Sequence, residues 1–161
     1  MKEFLKRTIL PLAAQLFFVR PGNRKSFDAL RENLELSGAK IKERIANLDA
    51  NSSNSEKTTK VLRHIIAIER WGQRRLMVFF GEPFQMDENY AYKPDKSMSW
   101  GELQESFAET RAKTVEITRS LATKTGVEEQ TVKHNDFGDI TAKAWLQYLT
   151  VHANIEARGM K

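Results

Sequence analysis

The chain has 161 residues, 40% of them hydrophobic and 29% charged, which is the composition of one folded domain rather than of a disordered or fibrous chain. It contains no Cys, which excludes disulfides, thiolate metal sites, iron–sulfur clusters and a thiol nucleophile. Any metal ion must therefore bind to Asp, Glu or one of the three His residues, and the net charge of +5 has to be examined along the chain.

The excess positive charge lies in the first half, where residues 1–75 hold 16 Lys and Arg against 8 Asp and Glu. Clusters of basic residues such as Arg70, Arg74 and Arg75 occur on protein surfaces that bind nucleic acid, but also on solvent-exposed helix faces. We favour the solvated face, because no basic motif interleaved with aromatic residues and no recognition-helix pattern accompanies the charge. The sequence therefore predicts no nucleic-acid partner.

Residues 1–25 predict an amphipathic N-terminal helix that packs on the domain or on a partner subunit, with Pro21, Gly22 and Asn23 ending it. A secretory signal peptide is the alternative, but Gln15 interrupts the apolar stretch and no small-residue cleavage site follows. No apolar run reaches the roughly 18 residues that a membrane span requires, so we expect a soluble, cytoplasmic protein. The apolar stripe of this helix consists of Leu5, Ile9, Leu12, Leu16 and Val19.

Four longer helices are predicted in residues 26–161, which we treat as the bundle domain. Gly38 weakens the middle of the first of them, and Ser99 with Glu102 forms a capping-box pattern at the third. Residues 82–97 form a long connection, and residues 122–139 form a loop without a convincing strand. The predicted fold is an all-α, antiparallel four-helix bundle with one long crossover and the extra N-terminal helix. The predicted helices span Ser26 to Leu48, Ser55 or Thr58 to Phe80, Ser99 to Leu121, and Thr141 to near Lys161.

Two ionisable groups of the last helix share its inward stripe, since Trp145, Leu149, His152 and Glu156 are spaced by 3 or 4 residues. His64 lies on the inward stripe of the second helix. A buried carboxylate without a partner is costly, and a divalent cation would supply one. The spacing thus predicts a three-ligand metal site at His64, His152 and Glu156 that leaves positions open for water.

A purely structural interpretation stays open, and spacing alone favours it slightly. His152 and Glu156 would then hydrogen-bond to each other or to Arg75. Glu156 lies five residues from the end of the chain and would simply be solvated.

Two blocks of sequence resemble the DinB-like four-helix bundles, a family that includes bacillithiol transferases. The segment 61–71 is similar to the family helix in which a ligand His precedes a Glu-Arg-Trp stretch. The segment 134–141, followed by Trp145 and by His152, resembles the entry of the family's last helix. The resemblance covers roughly residues 27–161.

The resemblance implies a divalent metal site, because three His residues of this family usually bind nickel or zinc. Matched by position, His64 and His152 are the first two ligands and Glu156 takes the place of the third His. Either this oxygen ligand gives a site for Zn, Fe, Mn or Ni, or this chain has lost the metal. Asn135 stands where the subfamily has Pro. The family also implies a homodimer.

Four further residues are candidates for a pocket near the predicted site. His134 precedes the last helix, where it would contact substrate or move a proton, although a loop His that caps this helix is the simpler interpretation. Tyr90, Tyr92 and Trp100 lie near the long crossover and could line a pocket.

The sequence predicts a metal-dependent hydrolase or thiol S-transferase that acts on a small molecule or a low-molecular-weight thiol. The alternative is a non-catalytic helical module whose degenerate site is structural. No residue is identified as the general base.

Overall fold

The computed structural model describes residues 15–48 and 56–160, and within them the chain is mostly helical. This confirms the predicted all-α class. None of the helices in the described ranges is long and apolar enough to cross a membrane. The four long helices are α1 (Phe27–Ala46), α2 (Glu56–Val78), α3 (Trp100–Thr123) and α4 (Ala142–Ala157).

Polar side chains begin three of these helices, and the sequence predicts two of the three caps, those at Ser26 and Ser99. Ser26 and Thr141 each accept a hydrogen bond from the backbone amide three residues later, at α1 and α4. Ser99 and Glu102 form the capping box at α3, each side chain accepting from the backbone amide of the other residue. These bonds satisfy amides that would otherwise lack a partner in the first turn.

Two hydrophobic clusters fill the interior and show how the helices run. One contains the beginnings of α1 and α4 and the ends of α2 and α3, and the other contains the opposite ends. Helices α1 and α4 therefore run in one direction, and α2 and α3 in the other. The chain must return along the bundle between α2 and α3, which explains the long crossover at residues 79–99. The first cluster includes Phe27, Trp71, Leu121 and Trp145, and the second includes Ile45, Leu62, Leu103 and Ala157.

A short antiparallel hairpin precedes α4, formed by β1 (Val132–His134) and β2 (Gly138–Ile140). Residue Val132 pairs with Ile140, and His134 pairs with Gly138. The sequence predicted a loop without a strand here. Strands of three residues are too short to show the alternation by which a strand is recognised.

The described part of the N-terminal helix packs on the bundle through Phe18. Its ring lies 5.4 Å from that of Phe137 and the same distance from that of Tyr148. Leu16, by contrast, is 52% exposed, so it does not belong to an inward stripe. The predicted stripe positions Leu5, Ile9 and Leu12 lie outside the described residues.

The N-terminal helix includes residues 21–23 and ends at Asn23, the last residue of the segment that the sequence predicted to end it. A π-helical turn at Gln15–Val19 leads into a short α-helix at Arg20–Asn23. Proline is tolerated in a first helical turn, because the amide that it lacks would have no partner there. Gly22 is a packing position, since a Cβ there would lie 2.7 Å from the carbonyl oxygen of Lys143.

A buried ion pair joins α2 to α3 between the two clusters. Glu69 Oε2 lies 2.9 Å from Arg111 Nη2, and the two residues are 1% and 4% exposed. Arg111 also donates to the carbonyl oxygen of Leu34 in α1. A Cβ at Gly38 would lie 3.0 Å from Arg111 Cγ. The glycine that weakens α1 locally therefore gives room to the arginine that ties three helices together.

Candidate metal centre

Three side chains from α2 and α4 meet at one point of the bundle. His64, His152 and Glu156 each offer a ligand atom, and these atoms lie within 4.8 Å of one another. The imidazole rings of His64 and His152 are 5.1 Å apart at an angle of 65°. In residues 15–48 and 56–160 this is the sole group of three or more His, Asp or Glu residues with metal-binding spacing. The structure thus brings together the three residues that the sequence predicted as ligands.

A close approach of α2 and α4 makes this meeting possible. Gly72 lies two helical turns from His64, and a Cβ there would be 2.5 Å from Leu149 Cδ2. Leu149 is itself 2% exposed, one turn before His152. With no side chain at position 72, the two helix axes can lie close enough for imidazoles from both to touch.

Both imidazoles are electrically neutral near pH 7. Burial, with a smaller contribution from the nearby His64, lowers the pKa of His152 to about 4. Burial also lowers the pKa of His64, while Glu156 opposes this shift and Lys93 adds to it. A neutral imidazole keeps a nitrogen lone pair free, which is the form that binds a metal ion.

One nitrogen of this group has no protein partner. Nδ1 of His152 is buried and makes no hydrogen bond, and a buried polar atom of this kind costs about 1–3 kcal/mol. His152 Nε2 lies 3.9 Å from Glu156 Oε1, too far for a hydrogen bond. The structural interpretation therefore lacks its hydrogen bond within the pair, whereas its other part, a solvated Glu156, agrees with a side chain that is 35% exposed.

Arg75 is not a hydrogen-bond partner of His152 or Glu156 either. It is completely buried, and its Nη1 lies 2.9 Å from Asp87 Oδ1 in the crossover. It also donates to Asn135 in the hairpin loop and packs against the ring of Trp71. The sequence predicted Arg75 either on a solvated helix face or as a hydrogen-bond partner of His152 and Glu156, and both predictions are wrong. Its partner Asp87 lies in an irregular loop, where no periodic pattern could reveal it.

A shallow groove gives access to the candidate ligands. It has a volume of about 380 Å³, and His64 and Glu156 line it together with Val61. Lys57 and Lys60 lie at its rim. The ammonium of Lys60 pairs with Glu56 at 2.5 Å. The groove leaves space beside the ligands for a small molecule.

His134 is a core residue rather than a helix cap. It is 2% exposed, and its ring stacks on Phe137 with 4.1 Å between centroids. Rings of Trp71, Trp145 and Tyr148 surround it within 5.0 Å. Its Nδ1 accepts a hydrogen bond from the amide of Asp136, which puts its proton on Nε2. Thr141, not His134, caps α4.

The aromatic candidates lie apart from the groove beside His64. Tyr90 is 68% exposed, and Trp100 packs against the hydrophobic cluster at the beginning of α3. The hydroxyl of Tyr92 donates to Asp87, and its ring lines a different groove, between α2 and α3. None of the three lines the groove that exposes Glu156.

Because His134 is buried, we expect the folded protein to lose stability in acid. Burial, with smaller contributions from Arg75 and His152, lowers its pKa from 6.5 to about 3. Below pH 6.5 the unfolded chain binds a proton at this residue that the folded chain does not bind, so His134 alone lowers the stability by up to about 1.4 kcal/mol per pH unit until about pH 3. His152 adds to the slope down to about pH 4. Urea unfolding at pH 7.0, 6.0 and 5.0 should show this slope, and His134→Phe should reduce it. An unchanged slope in the variant would show that His134 is not the residue responsible.

The chain was also compared with known protein families, with curated proteins and with solved structures. None of the three comparisons found a match. The DinB-like resemblance rests on the segments 61–71 and 134–141 alone, and it stays a prediction.

Proposed function

We propose that His64, His152 and Glu156 bind a divalent cation and that the protein is a metal-dependent enzyme, a hydrolase or a thiol S-transferase. The observation that carries the proposal is the convergence of three ligand atoms within 4.8 Å, two of them from half-buried imidazoles whose pKa values are lowered. The unpartnered Nδ1 of His152 supports it, because a metal ion bound at that nitrogen would supply the partner that the protein does not.

The donor set fits a first-row transition metal. Two imidazole nitrogens and one carboxylate oxygen suit Zn, Ni, Fe or Mn better than Mg or Ca, which prefer all-oxygen sites. Three protein ligands leave at least one coordination position for water or substrate, as in catalytic rather than structural zinc sites. A cation held there would act as a Lewis acid and lower the pKa of a bound water or thiol.

The protein's own residues prepare the site for such chemistry. Burial keeps His64 and His152 unprotonated, so the ligands need not lose a proton to the solvent at neutral pH. Glu156 brings the negative charge that offsets part of the cation's charge. The groove beside Val61 admits a small substrate, such as a low-molecular-weight thiol.

Removal of single ligands tests the proposal. His152→Ala and Glu156→Gln should each weaken Zn²⁺ or Ni²⁺ binding by about 100-fold or more, since even loss of an outer-shell partner costs about 10–100-fold. Glu105→Gln is the matched control, because it removes a carboxylate from an exposed position of α3. Binding is measured by competition with a chelating indicator on protein without a His tag. Equal affinity of wild type and both ligand variants would refute the site and support the non-catalytic module.

A further inference from the structure

A second groove lies between α2 and α3, whereas the candidate metal centre lies between α2 and α4. Its volume of about 460 Å³ is within the range of small-molecule sites. Its walls carry three cations, Arg70, Arg74 and Lys113, and two carboxylates, Glu82 and Glu109. The lining is therefore positive by one charge.

The carboxylates leave two of the three cations without an ionic partner. Glu82 Oε2 lies 2.6 Å from Arg74 Nη1, so these two charges neutralise each other. Within residues 15–48 and 56–160, neither Arg70 nor Lys113 has a carboxylate within ion-pair distance, although Glu109 lines the same groove. A guanidinium and an ammonium thus face the same space unpaired.

The guanidinium of Arg70 is nevertheless held in a fixed orientation. Its Nε donates to Thr110 Oγ1 at 3.2 Å, and its Nη2 donates to Ser106 Oγ at 2.8 Å. Both acceptors are neutral hydroxyls, and Nη1 has no described partner. By contrast, Arg75 and Arg111, which are buried, each pair with a carboxylate, whereas Arg70 is half-buried. Hydrogen bonds orient the guanidinium of Arg70 as well, but no carboxylate among the described residues pairs with it, so its charge can interact with a ligand.

We propose that this groove binds a small molecule with a phosphate group, held by Arg70 and Lys113. A guanidinium forms two parallel hydrogen bonds with a phosphate, and an ammonium adds a point charge. Met77 and the ring of Tyr92 line the same groove and offer apolar surface to the body of the ligand. The ligand is thus a phosphomonoester with an apolar or aromatic body, and its site is separate from the candidate metal centre.

Phenyl phosphate is a probe that carries both features. Calorimetric titration of the full chain at low salt should give a dissociation constant of about 1 mM or below, which corresponds to roughly 4 kcal/mol. Affinity should fall as salt rises, because the contacts are ionic and partly exposed. Phenol, which lacks the phosphate, should not bind measurably.

Substitutions in the groove test whether phenyl phosphate binds there. Arg70→Gln and Lys113→Met should each weaken phenyl phosphate binding by about tenfold or more. Lys113 is exposed, so its replacement leaves the fold intact and keeps the test valid if Arg70→Gln unfolds. Arg119→Gln removes a positive charge elsewhere on α3 and should change affinity less than about twofold.

His152→Ala separates this proposal from the metal centre, and it should bind phenyl phosphate as the wild type does. Loss of binding in His152→Ala would place the phosphate at the metal centre and overturn the proposal. No binding by wild type, equal binding of phenol, or equal weakening by Arg119→Gln would also overturn it.

Discussion

Replacement of Arg111 by Met should destabilise the protein by about 3–5 kcal/mol, because it leaves the carboxylate of Glu69 buried without a counter-charge. Glu69 is 1% exposed, and within the described residues its other hydrogen-bond partner is the hydroxyl of Thr114. Arg111 also satisfies the carbonyl oxygen of Leu34, so its loss affects α1, α2 and α3 together. Urea unfolding at pH 7 measures the change.

Two further variants separate loss of the ion pair from loss of packing. Arg119→Met removes an arginine from the exposed face of the same helix and should cost less than about 1 kcal/mol. The double variant Glu69→Leu, Arg111→Met should recover at least about half of the loss, since an apolar pair of similar volume avoids the buried charge. If Arg111→Met is as stable as wild type, the ion pair does not hold the three helices together.

Substitution of Gly72 by Ala should destabilise the fold by about 1–3 kcal/mol and weaken metal binding by about tenfold. The new methyl group would lie 2.5 Å from Leu149 Cδ2, in contact with a side chain that the core holds in place. Because Leu149 is 2% exposed and has little room to turn aside, we expect helices α2 and α4 to move apart and His64 to move away from His152. Chemical denaturation and Zn²⁺ competition measure the two effects.

Gly101 provides the matched control for this substitution. It lies in the first turn of α3, and a Cβ there would contact nothing within 4 Å. Gly101→Ala should therefore leave metal binding unchanged and stabilise the fold by up to about 1 kcal/mol through its higher helix propensity. Equal behaviour of the two alanine variants would show that the helices do not need a glycine at position 72.

The bundle and the candidate ligands were predictable because both depend on helical periodicity. The stripe that contains His64 and the stripe that contains His152 and Glu156 each continue a row of buried apolar residues, so their direction could be read from spacing. The caps at Ser26 and Ser99 follow from local rules and were predicted, whereas the cap of α4 was assigned to His134 although Thr141 provides it.

Other features depend on contacts that spacing does not encode. Arg75 lies on the same stripe as His64, and the choice of Asp87 as its partner depends on the path of the crossover. His134 lies in a strand of three residues, where burial leaves no periodic signal. The orientation of Arg70 depends on two hydroxyls of α3, which only the packing of α2 against α3 brings into reach.

Anomalous diffraction from crystals grown with Zn²⁺ or Ni²⁺ would locate the ion directly. The proposed function requires a strong anomalous peak between His64 and His152, with Glu156 completing the three ligands. It also requires that the peak is absent from His152→Ala crystals grown in the same way. A wild-type structure with no peak at this position, or with the ion bound elsewhere, would contradict it.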